Sequence, residues 1–228
     1  MRKRKLGYRA LIGALLLSAS LRAAGESRDT VEVGRIKVVV KETALLVPAK
    51  AAADSGILEY LAVATGGKTY ESVMELECDP RNFHAALLLL NAKPGGVRFS
   101  EGPDAGPSVR GDTLEIDVVY KRGDSLRTID ALDLISFRDT ALAKQEKAHK
   151  EDLAWVFTGS ETVEVERGKT AHASTLEGSL IGIFIDPTAE INISKVTRNP
   201  YRGEVFGFAV NAARAQMLPE RFWLRLRK

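Results

Sequence analysis

Three histidines (His84, His149 and His172), one cysteine (Cys78) and a few serines near acids are the side chains from which this 228-residue chain could build reactive chemistry. For hydrolysis, Ser72 and Ser160 are the candidate nucleophiles, His84 the candidate base and Glu71 the candidate orienting acid. A nucleophile must meet its base within hydrogen-bond reach, and a third group must hold the base. Ser160 follows Gly159, but the G-x-S-x-G elbow is absent. Glu71 and Ser72 are neighbours on a predicted strand, so their side chains leave opposite faces and cannot serve one site there. No catalytic residue is assigned.

Metal chemistry has no more support from spacing. Cys78 and His84 lie six residues apart, His149 and His172 are scattered, and neither H-x-x-x-H nor C-x-x-C occurs. A gathering of His84, Glu71 and Asp79 in space is the route left open; as a residue in the second turn of a buried helix, His84 otherwise reads as a satisfied core group. No metal ligand and no cofactor is assigned. Gly67-Lys68-Thr69 resembles the end of a phosphate loop, but Ala62 stands where the first glycine belongs. Binding is the remaining class. Glu59, Tyr60, Glu71, Trp155, Thr158 and Ser160 mix aromatic and polar groups on or beside predicted strands, a composition suited to a pocket or a partner surface. Glu59, Glu71, Ser72, His84, Trp155, Thr158 and Ser160 form the candidate ligand- or partner-binding set. Read structurally instead, Trp155 and Phe157 pack in a core and Thr158-Gly159-Ser160 turns the chain out of a strand.

These residues need elements to position them. Val31–Lys41 alternates as a strand, and Thr43–Pro48 reads as a second. Gly56–Thr65 and Lys68–Cys78 flank Gly66-Gly67, which predicts a two-residue hairpin. Cys78 alternates with Leu76 and Met74, and so reads as a small buried hydrophobe. Asp79-Pro80 opens a helix over about 80–91, with Asp79 as cap and Pro80 at the first position. Its apolar run from Ala85 to Leu90 predicts burial against a sheet. Residues 97–112 read as loop, and Thr113–Lys121 with Ser125–Asp130 as a hairpin. Thr140–Asp152 reads as an exposed helix, and strands resume from Ala154 to the C-terminus. The expected fold is α+β: mostly antiparallel sheet, one buried helix and one or two peripheral helices.

The N-terminus reads differently. Arg2, Lys3, Arg4, Lys5 and Arg9 precede an apolar run from Ala10 to Leu21, followed by Ala23, Ala24 and Gly25. This is the pattern of a secretory signal peptide over residues 1–24, cut between Ser20 and Gly25. The run is too short for the roughly 20 residues of a membrane-spanning helix. A single domain over 25–228 is expected after removal, with 139–152 as a place where two lobes could divide. The segment carries six of the 33 basic residues and no acid, which leaves 27 basic against 30 acidic and a net charge of −3. That balance argues against nucleic acid, which needs a basic stripe. The basic cluster Arg221, Arg225, Arg227 and Lys228 reads as a solvated terminus. The lone Cys78 cannot form an internal disulfide.

Several stretches, in order, resemble the YdjY-domain family of exported bacterial proteins: Gly56-Ile57-Leu58-Glu59-Tyr60-Leu61-Ala62-Val63, Tyr70-Glu71-Ser72, His84 through Gly95, Trp155-Val156-Phe157-Thr158-Gly159-Ser160, Glu177-Gly178-Ser179-Leu180-Ile181 and Asp186-Pro187. The resemblance spans roughly residues 35–215. It implies an extracytoplasmic, periplasmic-type location and brings no established activity. Where relatives carry an Ala-Asp pair before the Glu-Gly turn, this chain has Ala173-Ser174. An iron–sulfur cluster needs several cysteines and one is present. The expectation is an exported, non-catalytic binding or accessory module acting on an envelope protein or small ligand, with no membrane span after signal removal. The alternative is a hydrolase or metal-site enzyme built on Glu71, His84 and Ser160.

Overall fold

The computed structural model describes residues 29–101, 106–145, 147–196 and 207–228. Residues 1–24, expected from sequence to be a signal segment, lie outside them. In chain order the strands begin with β1 (Thr30–Val33), β2 (Ile36–Val39), β3 (Ala44–Ala51), β4 (Ile57–Leu58), β5 (Tyr60–Ala64) and β6 (Ser72–Leu76). After helix α1 (Pro80–Leu89) come β7 (Pro94–Phe99), β8 (Pro107–Gly111), β9 (Thr113–Arg122), β10 (Ser125–Asp130) and β11 (Ile135–Phe137). Helix α2 (Thr140–Gln145) precedes β12 (Trp155–Phe157), β13 (Thr162–Glu166) and β14 (Lys169–His172). Helix α3 (Ala173–Glu177) then leads to β15 (Ser179–Gly182), β16 (Ile191–Ile193) and β17 (Phe208–Val210), and α4 (Ala212–Ala215) to β18 (Arg221–Arg227).

The expected α+β class is overturned: the molecule is mostly β, and its main sheet closes on itself. Eight strands form the ring in the order β3-β18-β9-β12-β16-β15-β5-β6, and β6 returns to pair with β3. Closure removes the unpaired backbone edges that an open sheet would expose. The pattern that builds it is clearest in β18, where Phe222, Leu224 and Leu226 are buried while Arg221, Trp223, Arg225 and Arg227 face outward. On β9, Leu114, Ile116, Val118 and Tyr120 point the same way into the core.

The sheet is also not uniformly antiparallel. The Gly66-Gly67 hairpin does not form: β5 and β6 run parallel, with Tyr60 opposite Ser72 and Ala64 opposite Leu76. The chain turns back through a short 3₁₀ segment, Thr69–Glu71, before β6 starts. β15 and β16 are parallel too. Every residue of β5, β6, β15 and β16 is buried, as expected of strands covered on both faces. Two smaller corrections follow the same turn chemistry. Val31–Lys41 is two strands folded at Gly34, whose φ of 61° is the left-handed conformation that favours glycine. The 97–112 region, expected as loop, holds the hairpin β7–β8.

Helix α1 starts where the sequence places it. Asp79 Oδ1 accepts from the Arg81 N–H at 2.8 Å and Pro80 opens the first turn. It is not buried all round, however. Phe83, Ala86 and Leu87 are buried, while Leu88 and Leu89 are 48% and 59% exposed. The helix packs against β1, β2 and α3, with Phe83, Ala86 and Leu87 turned into the shared core and Leu88 and Leu89 turned away from it. Cys78 is a half-buried free thiol past the end of β6, and burial pushes its pKa up to about 12. The basic C-terminus is a strand whose cations are answered. Arg225 and Arg227 reach Asp117 at 2.8 and 2.9 Å, Arg221 reaches Glu77 at 3.1 Å and Lys228 reaches Asp112 at 2.7 Å. Among the described residues no helix is long and apolar enough to cross a membrane.

Candidate functional site

β12 ends at Phe157, and the chain leaves the barrel through Thr158-Gly159-Ser160. Gly159 has φ of 70°, and a Cβ there would meet Pro94 Cβ at 2.9 Å. This tight approach lets β7, α1 and the 158–161 segment converge on one cleft of about 360 Å³. His84, Pro94, Thr158, Ser160, Glu161 and His172 are among its lining residues.

Behind the cleft sits Glu190, fully buried just before β16. Its Oε1 accepts from the Ser174 hydroxyl at 2.7 Å. Its Oε2 lies 2.8 Å from His84 Nδ1 and accepts from the Ser160 N–H at 3.3 Å. The hydrogen bond to Glu190 raises the His84 pKa above its ordinary value, and the attraction of the same carboxylate adds to that effect against the opposing cost of burial. The His84 side chain is 21% exposed, and its ring stands edge-on to Phe157 at 5.5 Å and 4.8 Å from the ring of His172. His172 ends β14 and is exposed.

The hydroxyls of this region point inward. Ser160 Oγ donates to the Glu161 carbonyl at 3.3 Å and accepts from the Ser174 N–H at 2.8 Å. Thr158 Oγ1 donates to the Glu190 carbonyl at 3.2 Å and accepts from Asn192 Nδ2 at 2.8 Å. Asn192, fully buried on β16, also donates to the Asp186 carbonyl at 2.9 Å and accepts from the Asp186 N–H at 2.7 Å. Asp186 in turn accepts from the Tyr60 hydroxyl at 2.7 Å. Burial, then the nearby Asp186 charge, holds the Tyr60 phenol far above its usual pKa.

Of the residues singled out from sequence, His84, Thr158 and Ser160 therefore meet at one cleft. Glu59, Glu71 and Ser72 gather in a second cluster. Lys68 Nζ lies 4.0 Å from Glu59 and 3.8 Å from Glu71, and 5.6 Å from the centre of the Tyr60 ring. Ser72 Oγ donates to the Lys68 carbonyl at 2.7 Å. Burial, followed by repulsion from Glu59, raises Glu71 to about 7, with Lys68 opposing. Glu71 thus engages Glu59 and Lys68, whereas His84 engages Glu190. Asp79 is committed to Arg81 and the helix cap. Trp155 lies in the core between β9 and β16, paired across to Leu114 and Ile193.

Sequence reasoning missed Glu190 and gave His172 no role. Glu190-Ile191-Asn192-Ile193 alternates polar with apolar, which reads as a half-solvated strand. Both polar residues are instead fully buried because β16 is covered on both faces. The sequence traces of the site were His84, Thr158 and Ser160 and the order of the segments that carry them. No curated protein and no solved structure matches the chain. The YdjY domain does match, over residues 34–219, a span that holds His84, Ser160, His172 and Glu190. The chain belongs to the YdjY-domain family.

Proposed function

We propose that the protein is an exported, non-catalytic binding module of the bacterial envelope, with the cleft at His84 as its binding site. Export rests on the basic and apolar pattern of residues 1–24. The observation that carries the binding reading is the engagement of the serine hydroxyls. Ser160 Oγ is spent on Glu161 and the Ser174 N–H, and Ser174 Oγ on Glu190. An oriented imidazole faces the cleft, but the nucleophile that hydrolysis requires at that imidazole is turned away. This favours capture over hydrolysis. A cleft of this size, lined by His84, His172, Glu161 and a few apolar side chains, suits a small ligand better than a broad protein surface.

Native mass spectrometry of untagged protein recovered from the envelope fraction tests this reading. An adduct carried by the wild type and lost in His84→Ala is the expected result. Labelling of Ser160 by a fluorophosphonate probe would replace it with the hydrolytic alternative.

A further inference from the structure

We propose that the cleft binds a late first-row divalent metal ion through His84, His172 and Glu190. The proposal rests on the binding-module reading and names the class of ligand. One ligand atom from each of the three residues lies within 4.8 Å of the other two. They come from α1, the end of β14 and the approach to β16, so no spacing rule in the sequence could join them. Two imidazoles and one carboxylate form a donor set suited to Zn²⁺ and its first-row neighbours, and unlike the all-oxygen sets of Ca²⁺ or Mg²⁺.

Charge points the same way. Glu190 is fully buried, and its partners are a hydroxyl, an amide N–H and an imidazole. Among the described residues no lysine or arginine forms an ion pair with it; the one ion-pair partner is His84. A buried carboxylate is costly unless neutralised or paired, and a proton shared with His84 or a metal cation would balance it. A metal would take the place of the shared proton. The 2.8 Å between His84 Nδ1 and Glu190 Oε2 would then open to about 3.3 Å, the separation of two ligands at tetrahedral zinc. The exposed His172 supplies the third ligand by turning its ring, and the fourth position faces the cleft. Ser174 Oγ and the Ser160 N–H, already bonded to Glu190, fix the carboxylate as outer-shell partners commonly do.

Zinc titration of the untagged mature chain, stripped with chelator and followed by calorimetry, tests the site. One Zn²⁺ per chain is expected, with proton release on binding. Co²⁺ in its place should give the visible absorption of a tetrahedral centre. His172→Ala, on an exposed residue that the fold does not need, should abolish the stoichiometric event. Ser174→Ala should weaken it by about tenfold. No uptake, or uptake unchanged by His172→Ala, overturns the metal site. If zinc fails while envelope-derived protein still carries an adduct that depends on His84, the metal alone is refuted and the binding module stands. If neither is found, both readings fall.

Discussion

Glu71 carries a carboxyl held well above its ordinary pKa by burial and by the neighbouring Glu59. The residue is 7% exposed beside Glu59, and its pKa of about 7 stands above the roughly 4.3 of a free glutamate. Between those two values the folded state binds more protons than the unfolded one. Stability therefore falls as pH rises from about 4.3 through 7, and the full cost persists above 7. Glu71→Gln keeps a neutral side chain of the same shape at every pH. It should be more stable than the wild type by about 1–3 kcal/mol at pH 8 and lose that advantage at pH 4. Urea unfolding at the two pH values measures this, and an equal advantage at both would mean that Gln packs better for reasons unrelated to charge. The sequence marked Glu59 and Glu71 as notable but gave no reason to join them. They meet because the parallel β5–β6 pairing and the 69–71 turn bring residue 59 beside residue 71, where the Glu59 N–H donates to the Glu71 carbonyl at 3.0 Å.

At the scale of the element, α1 shows how far local rules reach. Asp79, Pro80 and the apolar run predicted its start and length, because capping and helix entry depend on adjacent residues alone. Which face would be buried was not legible, since Ala85–Leu90 is apolar all round. The barrel decided it by offering one side. Leu87→Ala should cost about 2–5 kcal/mol in chemical denaturation, whereas Leu88→Ala should stay within about 0.5 kcal/mol. Equal costs would contradict the one-faced packing of the helix. Asp79→Ala should cost about 1 kcal/mol through the lost cap. The short elements around the cleft follow the same division. The β7–β8 hairpin hid in a stretch rich in Gly, Pro and Ser, whose composition reads as loop although its ends pair.

For the molecule as a whole, closure of the ring is the central fact. β18 is the last strand of the chain, yet it lies between β3 and β9 and pairs with both. A chain ended at Glu220 would lose both ladders and reopen two edges. Loss of cooperative thermal unfolding and rapid proteolysis are the expected outcomes; an unchanged melting transition would show that the rest of the sheet folds without closure. The cross-strand pairs of Arg225 with Asp117 and of Lys50 with Glu75 tie neighbouring strands, Asp117 half-buried and Glu75 buried, while Phe222, Leu224 and Leu226 of β18 fill the core.

Alternation along β9 and β18, the cap of α1, the hairpin of β9 and β10 and the family itself were all determined by the sequence, because each depends on neighbouring residues or on their order. The tertiary structure alone decided that the sheet closes, that β5–β6 and β15–β16 run parallel, and that Glu190 is buried beside His84 and His172. Strand partners far apart in the chain are chosen by which apolar faces can be covered together, a property of the assembled core that no local window contains. The cleft inherits that dependence: His84 and Glu190 stand 106 residues apart and share a hydrogen bond only because α1 and β16 are brought to one side of the barrel.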